Sequence, residues 1–421
     1  MSETGIRVGG GKKGASLSVD IAIVGGGMVG ASLAVALEGL GVRIALIEAI
    51  PHDAAAQPSF DERTTALSNG SRRILETLGV WPAVSTAATP ISKIHVSDQG
   101  HFGFARIDAA EQGLHAMGYV VPNRSLGSAL WSPLAQSTSA HVFCPAHVRR
   151  VTAGEQSVEL VVAEAGGEST IEARLVVAAD GAQSAVRSAF GVAAEIRDYE
   201  QTAVITAVLP QRFHDHVAYE RFTDSGPLAL LPLADGRCTL VLTLKPERAE
   251  LAMTWSDQEF IAEVQRRFGF RLGRFLKVGR RAAYPLSLTR SNRTSAGRCA
   301  IMGNAAQGLH PVAGMGFNLG LRDVACLAEL VAERRAGDTD AGDADMLAEY
   351  DAWRAADRGG IIAFTDGLVR LFSNPLRAVQ RLRNLGLLAF DVLPPAKAAL
   401  SRLSTGAAGR VPKLARGVAL R

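Results

Sequence analysis

The sequence predicts an α/β protein. A parallel, nucleotide-binding sheet is interrupted by a mostly antiparallel sheet and followed by a helical C-terminal region. Three observations carry this. A short apolar strand, a glycine-rich turn and a small-residue helix open the chain at 20–39. A second buried strand runs into Asp180-Gly181, and a third returns at Cys299 and runs into the long stretch from Gly303 to Gly320. Between the last two, strand-like segments follow one another without a helix between them, as antiparallel strands do.

Asp20-Ile21-Ala22-Ile23-Val24 is apolar, partly β-branched and ended by glycine, the pattern of a buried parallel strand. Gly25, Gly27 and Gly30 then give the spacing G-x-G-x-x-G, and residues 28–39 read as a helix. Val42 to Ile47 reads as a second strand. It ends at Glu48, where a ribose-binding carboxylate belongs. Glycines let the backbone turn tightly and approach a pyrophosphate. The helix N-terminus offers free N–H groups and a positive dipole end to phosphates. Glu48 would accept hydrogen bonds from ribose hydroxyls and repel a 2′-phosphate.

Residues 64–80 read as a helix broken by Trp81-Pro82, and residues 91–120 alternate as exposed strands do. Leu126 to Leu134 looks helical. Residues 148–151, 158–162 and 169–173 read as hairpin strands with Gly166-Gly167 as a turn. Arg174 to Ala179 is a buried strand before Asp180-Gly181, and a helix follows. Ala203–Val208, Ala218–Phe222, Leu228–Leu233 and Cys238–Leu244 suggest the antiparallel sheet, Ser256 to Phe268 a helix, and residues after about 343 more helices to the end. The expected organisation is therefore an arm at 1–17, a discontinuous Rossmann-like cofactor domain at 18–90, 121–190 and 290–345, an inserted substrate domain at 91–120 and 191–289, and a basic helical region at 346–421. The first and last glycine-rich loops suggest one long cofactor gripped at both ends. NAD needs only the first grip; FAD, with a flavin at its far end, can use the second.

At 421 residues and 48% hydrophobic content the chain can build two sizeable cores. Cys144, Cys238, Cys299 and Cys326 show no C-x-x-C pair and no metal spacing, so reduced cytosolic thiols and no metal are expected. No nucleic-acid motif is present. The first 17 residues lack the apolar core of a signal peptide, and no apolar run is long enough to span a membrane. Net charge is +4, yet from Arg370 to Arg421 ten basic residues face one acid, Asp391. Phe372, Leu376, Val379, Leu382, Leu385 and Leu388 fall near helical spacing among Arg377, Arg381 and Arg383. Two readings stand: a basic amphipathic helix on anionic lipid, or a helix packed on the body with solvated arginines.

Together, Gly25–Gly30, Asp180-Gly181 and Gly303–Asn318 resemble the three motifs of the FAD-dependent aromatic hydroxylases, the class A flavoprotein monooxygenases. Gly303-Asn304 stands where that family usually has Gly-Asp, and Met315 where it usually has Gln. The Gly-Asn variant, with Leu309-His310-Pro311 and Asn318 to Asp323, is similar to the 2-polyprenyl-6-methoxyphenol hydroxylase branch of ubiquinone biosynthesis. Further matches are Arg63 with Ala66-Leu67-Ser68, then Tyr219 to Phe222, Gly226 to Leu233, and Thr365 to Leu368. The resemblance covers about residues 18–395.

It implies a monooxygenase that uses FAD, NADPH or NADH, and O2 to hydroxylate a prenylated phenol through a C4a-hydroperoxyflavin. Glu48 would hold the adenosine ribose. Arg63, with Asn123 or Arg124, would lie near the pyrophosphate and ribityl chain. Asn304 would take a ribityl hydroxyl through an uncharged amide, or act as a plain helix N-cap. Gly314, Met315, Gly316, Phe317 and Asn318 would open a helix toward the flavin. Asp180, Gly181, Ser184 and Arg187 would support FAD, or form a tight turn after a strand. His310, beside Pro311, is the candidate catalytic pair; a structural hydrogen bond is the alternative. Residues 226–233, with Tyr219, Arg221, Leu230 and Pro232, would line the substrate pocket, or be ordinary sheet core. His214 and His216 would reach the phenol or sit on a solvated strand edge. Implied partners are the phenol, O2, a quinone-biosynthesis complex and a membrane surface, at a cytoplasmic location peripheral to the inner membrane face. Alternative readings are a hydroxylase of a small soluble aromatic compound and a non-catalytic flavin-binding subunit of a quinone-biosynthesis complex.

Overall fold

The computed structural model describes residues 16–54, 57–61, 63–310, 314–337, 340–372, 383, 384, 386, 387, 389–391, 393, 395, 397 and 409–420. Five strands lie parallel in the spatial order Cys299–Ile301, Gly167–Ala178, Ser16–Val24, Ile44–Ile47, Ala140–Phe143. Their alternation of buried apolar residues places both faces of the sheet in the core. Val24 is in register with Ala178 and with Ile47, which fixes all the carboxyl ends on one edge. The strand order reverses on either side of Ser16–Val24, so the crevice for a dinucleotide opens between that strand's glycine turn and Ala179-Asp180. Strand Ser16–Val24 takes up the last two residues of the expected N-terminal arm, because Ser16 and Leu17 already pair with Thr170 and Ile171.

Helix Met28–Leu37 is buried along most of its length between this sheet and helix Met315–Ala336, which is why its residues are small. The segment 64–80 is not one helix. Thr64–Ser68 is a strand paired with Gly118–Pro122, and only Asn69–Thr77 is helical. Two β-branched threonines favour the strand, and the Ser68 hydroxyl caps the helix by accepting from the Ser71 N–H at 3.2 Å.

The second sheet runs Gln307–Gly308, Ala282–Ser291, Ala194–Pro210, Cys238–Leu244, Gly226–Pro232, Val217–Thr223, Lys93–Asp98, Phe104–Asp108, with Phe275–Val278 added beside Ala194–Pro210. Every pairing is antiparallel except Val217–Thr223 with Lys93–Asp98. One face packs Leu228, Leu230, Leu240 and Leu242 against Phe260, Val264 and Phe268 of helix Asp257–Phe268, which starts with a Ser256–Glu259 capping box. The opposite face looks toward the parallel sheet.

Helix Ala344–Phe372 packs on Met315–Ala336. The chain is not helical to its end: at 409–420 it has only the short turn Leu414–Arg416, and Leu414 and Ala415 re-enter the main core. Pro412 and Gly417 bound that turn. Most of the proposed amphipathic helix at 372–388 lies outside the described residues. Four basic residues of this region that are described are paired: Arg383 with Asp98 at 2.6 Å, Lys397 with Asp391 at 3.4 Å, Arg410 with Glu349 at 3.0 Å, and Lys413 with Glu333 at 2.8 Å.

Candidate active site

A cavity of about 900 Å³ runs from the first glycine turn to the inner face of the second sheet. Gly25, Gly27, Glu48, Arg63, Asn123, Asp180, Gly181, Asn304, His310, Gly314, Gly316 and Phe317 all line it. Residues from three distant parts of the chain thus share one hollow, as expected for one ligand held along its length.

At the first end the glycines are sterically required. Gly25 has φ +101°, and a Cβ there would lie 2.4 Å from the Ala179 carbonyl oxygen. A Cβ on Gly30 would meet the Gly25 carbonyl oxygen at 1.8 Å. Gly26, which the spacing x leaves unassigned, is constrained as well: a Cβ would strike the Trp131 ring and the Glu48 side chain. Glu48 accepts from the N–H of Gly26 at 2.5 Å and of Ile50 at 2.8 Å. These bonds aim the carboxylate over the turn. Arg63 donates to Asp61, bonds the Pro58 carbonyl, and lies 4.5 Å over the Tyr284 ring. Asn123 is buried and accepts from the Thr65 hydroxyl at 2.7 Å. Arg124 is exposed and outside the cavity wall, because it falls on the solvent face of helix Asn123–Leu134.

Asp180 accepts from the Ser184 hydroxyl, and Ser184 in turn caps helix Ala185–Ala189. Arg187 is buried and donates to the carbonyls of Ala182 at 3.0 Å and Ala305 at 2.7 Å. It therefore ties the central motif to the last one rather than facing a ligand. Asn304 sits inside the turn Gly303–Ala305, whose N-cap is Met302, so the N-cap reading fails; its side chain is exposed on the cavity.

Gly314, at φ +60°, is the N-cap of helix Met315–Ala336. A Cβ on Gly316 would meet no protein atom within 4 Å. No packing against the described residues demands that glycine, and it lines the cavity. Two expected ligand residues are braces. Asn318 is not on the cavity wall: it donates to the carbonyls of Gly314 at 2.7 Å and Ala66 at 2.8 Å and accepts from the Ser68 N–H at 2.8 Å. Met315 is buried against Leu309, Leu319 and Ile361, since the first turn of the helix points it inward.

His310 is 1% exposed and 3.2 Å from the Gln201 side-chain oxygen, with its ring edge-on to Tyr199. Burial pushes its imidazole down to about 4, so it is neutral at physiological pH. That geometry fits a loop held against the second sheet. Pro311 lies outside the described residues.

Strand alternation corrects the expected pocket. Leu230 and Pro232 are not on the cavity wall; Pro227, Ala229 and Leu231 are. Successive side chains of a strand point to opposite faces, and Leu230 belongs to the helix-covered one. Arg221 is likewise off the wall, bonded to the Arg267 carbonyl at 2.9 Å and the Ser97 hydroxyl at 3.2 Å. Tyr219 lines the cavity, yet its ring packs on Phe268. His214 and His216 do not line it; His214 is buried 2.9 Å from the Leu233 carbonyl oxygen. The residue overlooked was Glu220, which does line it. The signal was present: an acid in phase with Ala218 and Phe222 on an apolar strand face.

The donor set suits a dinucleotide with a flavin. Two helix N-termini, at Met28 and Met315, open on the hollow, and the Glu48 carboxylate and the Asn304 amide stand on its wall. Fold and site define an FAD-binding protein of the flavin-dependent monooxygenase class. Residues 18–364 match the FAD binding domain family. Among structures, the fold is similar to the p-nitrophenol 4-monooxygenase PnpA of Pseudomonas putida DLL-E4, with TM-score 0.77, 18% identity, and 93% of this chain and 99% of that one covered. The chain is 40% identical to the ubiquinone hydroxylase UbiL of Rhodospirillum rubrum, covering 95% of this chain and 93% of that protein. It is 33% identical to the 3-demethoxyubiquinol 3-hydroxylase of Escherichia coli K12, covering 88% and 94%. The chain belongs to the FAD-dependent hydroxylases of ubiquinone biosynthesis.

Proposed function

We propose that this chain hydroxylates the ring of a polyprenylated phenol with O2 and NAD(P)H. The observation that carries the substrate class is the composition of the cavity wall away from the glycine turns. On the second sheet it is built mostly from Ile94, Ile205, Ala218, Pro227, Ala229, Leu231 and Val241, with Tyr219, Glu220, Thr243 and Tyr284 among them. Among the described residues the one arginine on the wall is Arg63, and it is engaged by Asp61. A small aromatic acid would call for a free cation there, whereas a prenylated ring calls for apolar surface. Bound FAD, once reduced, supplies the activated oxygen. The chain's part is to seat the ring on the sheet, exclude water and hold the cofactor from both ends. Glu48 would hold the adenosine ribose, Asn304 a ribityl hydroxyl, and the N–H groups after Gly314 the flavin edge.

Anaerobic reduction of the FAD-loaded protein by NADPH, with and without a prenylated methoxyphenol, tests this. Faster bleaching with the phenol, and incorporation of one oxygen into the product when labelled O2 is then admitted, is the expected result. Bleaching stimulated by aromatic acids and not by the phenol would move the assignment to small soluble substrates. A protein that takes up FAD but never turns over would support the non-catalytic subunit.

Peripheral membrane contact is part of the same proposal, on a surface other than the tail. Phe213, Phe270 and Leu276 are exposed beside Arg212, Arg271, Arg274 and Lys277, none of which has an acidic partner among the described residues. Backbone bonds from Gln211 to Arg274 and Arg212 to Leu272 hold these turns together. Such a surface suits anionic lipid. Sedimentation with phosphatidylglycerol vesicles, lost in Arg271→Glu/Arg274→Glu, is expected; unchanged sedimentation removes this surface. No described helix is long and apolar enough to cross a membrane.

A further inference from the structure

The sheet face that looks into the cavity carries a single side chain able to titrate near neutral pH. Across four strands, Glu220 is in register with Ala229, Ala229 with Val241, and Val241 with Ile205. All four line the cavity. Ala218 and Leu231 flank this row on one side, and Pro227 and Thr243 on the other. Glu220 therefore stands as a lone carboxyl in an apolar wall. It makes no hydrogen bond or ion pair with any described residue. What surface it keeps faces the cavity, and protein surrounds it otherwise. Burial pushes its carboxyl up to about 8.

A lone buried carboxyl of this kind destabilises the fold and persists where a ligand uses it. Asn304, Gly316 and Phe317, at the flavin end, line the same hollow. We infer that Glu220 is the acid–base residue for the substrate's ring hydroxyl, a role that rests on the phenol hydroxylase reading. Its carboxylate takes the proton as the phenol O–H bond breaks. The electron pair left on oxygen delocalises into the ring, and the ring carbon would bond to the hydroxyl oxygen supplied by O2 and the reduced cofactor as that oxygen's bond to its carrier breaks; the electron pair stays on the carrier, which takes up, through water, the proton the ring carbon later gives up. When that carbon gives up its hydrogen to water and the ring rearomatises, the phenol oxygen takes the proton back from Glu220. The carboxylate is restored and no further reactant is needed. A group titrating near the working pH is suited to both transfers.

The test compares wild type with Glu220→Gln on two substrates at pH 8: the prenylated phenol, and its ring-fluorinated analogue, already ionised at that pH. We expect the variant to lose about 100-fold in turnover on the parent phenol, and under threefold on the analogue. The acid limb of the wild-type pH profile should vanish with it. FAD absorbance and affinity should stay as in wild type, and an infrared band of a protonated carboxyl that titrates near pH 8 should disappear. Equal losses on both substrates would reduce Glu220 to a structural part, and no loss on either would remove it from the reaction. Either result overturns the inference and leaves the hydroxylase reading standing. Failure of the wild type to hydroxylate any phenol would overturn that reading instead.

Discussion

The last cofactor loop hangs on one buried carboxylate, and that makes Asp323→Asn a sharp perturbation. Asp323, fully buried in helix Met315–Ala336, accepts from the Gly303 N–H at 3.0 Å and the Gln307 amide at 2.6 Å, both on the loop that carries Asn304. Its other oxygen meets the Arg354 guanidinium at 2.7 Å, and Arg354 is 1% exposed. An asparagine keeps one acceptor oxygen. Either the loop or Arg354 then faces an NH2 group, a donor against a donor. Removing one partner of a buried pair costs about 3–5 kcal/mol. Asp357 still contacts Arg354 at 2.5 Å, which places the effect near the lower end. For a cofactor domain of ordinary size, about 3 kcal/mol corresponds to a drop of about 6–12 °C in Tm. If half of that strain falls on the loop, FAD binding weakens about tenfold, since 1.4 kcal/mol is a factor of ten. Thermal melting by tryptophan fluorescence, without and with FAD, reads the first quantity. Titration of flavin fluorescence reads the second. A variant that melts within about 2 °C of wild type, below the shift of a single lost kilocalorie, and binds FAD equally well would refute this account of the loop.

Three other perturbations give separable outcomes. Gly316→Ala should leave the FAD-free protein as stable or slightly more so, since alanine favours a helix by about 0.5–1 kcal/mol, while FAD affinity falls; an unchanged affinity would show that the cavity beside Gly316 is not cofactor space. Glu220 is uncharged when folded up to about pH 8 but ionises near 4.5 when unfolded, so the folded state loses stability as pH rises from 4.5 through 8 and the loss is complete above 8. Urea midpoints of Glu220→Gln should lack that decline, and parallel curves for the two proteins would contradict the burial of this carboxyl. His310 has the opposite dependence: its neutral form is held down to about 4, so stability present above 6.5 is lost as pH falls toward 4. His310→Gln should remove this acid-side loss while keeping most of the turnover at pH 8, and a thousandfold drop there would restore His310 to the chemistry.

The cofactor half was legible because its constraints are local. A strand ending in Gly25, a helix of small residues and a carboxylate at Glu48 each leave a mark within a few residues, and the backbone there has little freedom to be otherwise. The substrate half was legible only in outline. Alternation revealed strands around Leu228 to Leu233, but which phase faces the cavity depends on what covers the other face. Helix Asp257–Phe268 decides that, and it claimed Leu230. Asn318 and Met315 show a second limit. Proximity to a motif placed them near the flavin, whereas the first helical turn directs Asn318 onto the Ala66 and Gly314 carbonyls and Met315 into the core. Thr64 and Thr65 read as helix in the sequence because their partner strand Gly118–Pro122 is remote.

The two halves must also hold register with each other, and the structure shows how. Tyr284 of the second sheet donates to Asp61 at 3.0 Å, and Asp61 holds Arg63 at the cofactor end. Thr64 and Thr239 share a hydrogen bond at 3.0 Å, and His310 meets Gln201 at 3.2 Å. Arg358 reaches both Ser291 and the Ala306 carbonyl, at 3.1 Å each. These links enclose the cavity from several sides. They tie Asp61, Thr64, His310 and Ala306 to Tyr284, Thr239, Gln201 and Ser291 of the second sheet, the last pair through Arg358. On the proposed reading the ring would be gripped by the sheet and the flavin by the glycine-rich loops, so their separation would be only as fixed as these links, and a displacement of about 1 Å can cost on the order of a hundredfold in rate. A polar side chain at such a junction contributes to positioning even when it touches neither ligand. This accounts for a histidine kept buried and neutral beside a glutamine, in a loop where proximity alone suggests a base.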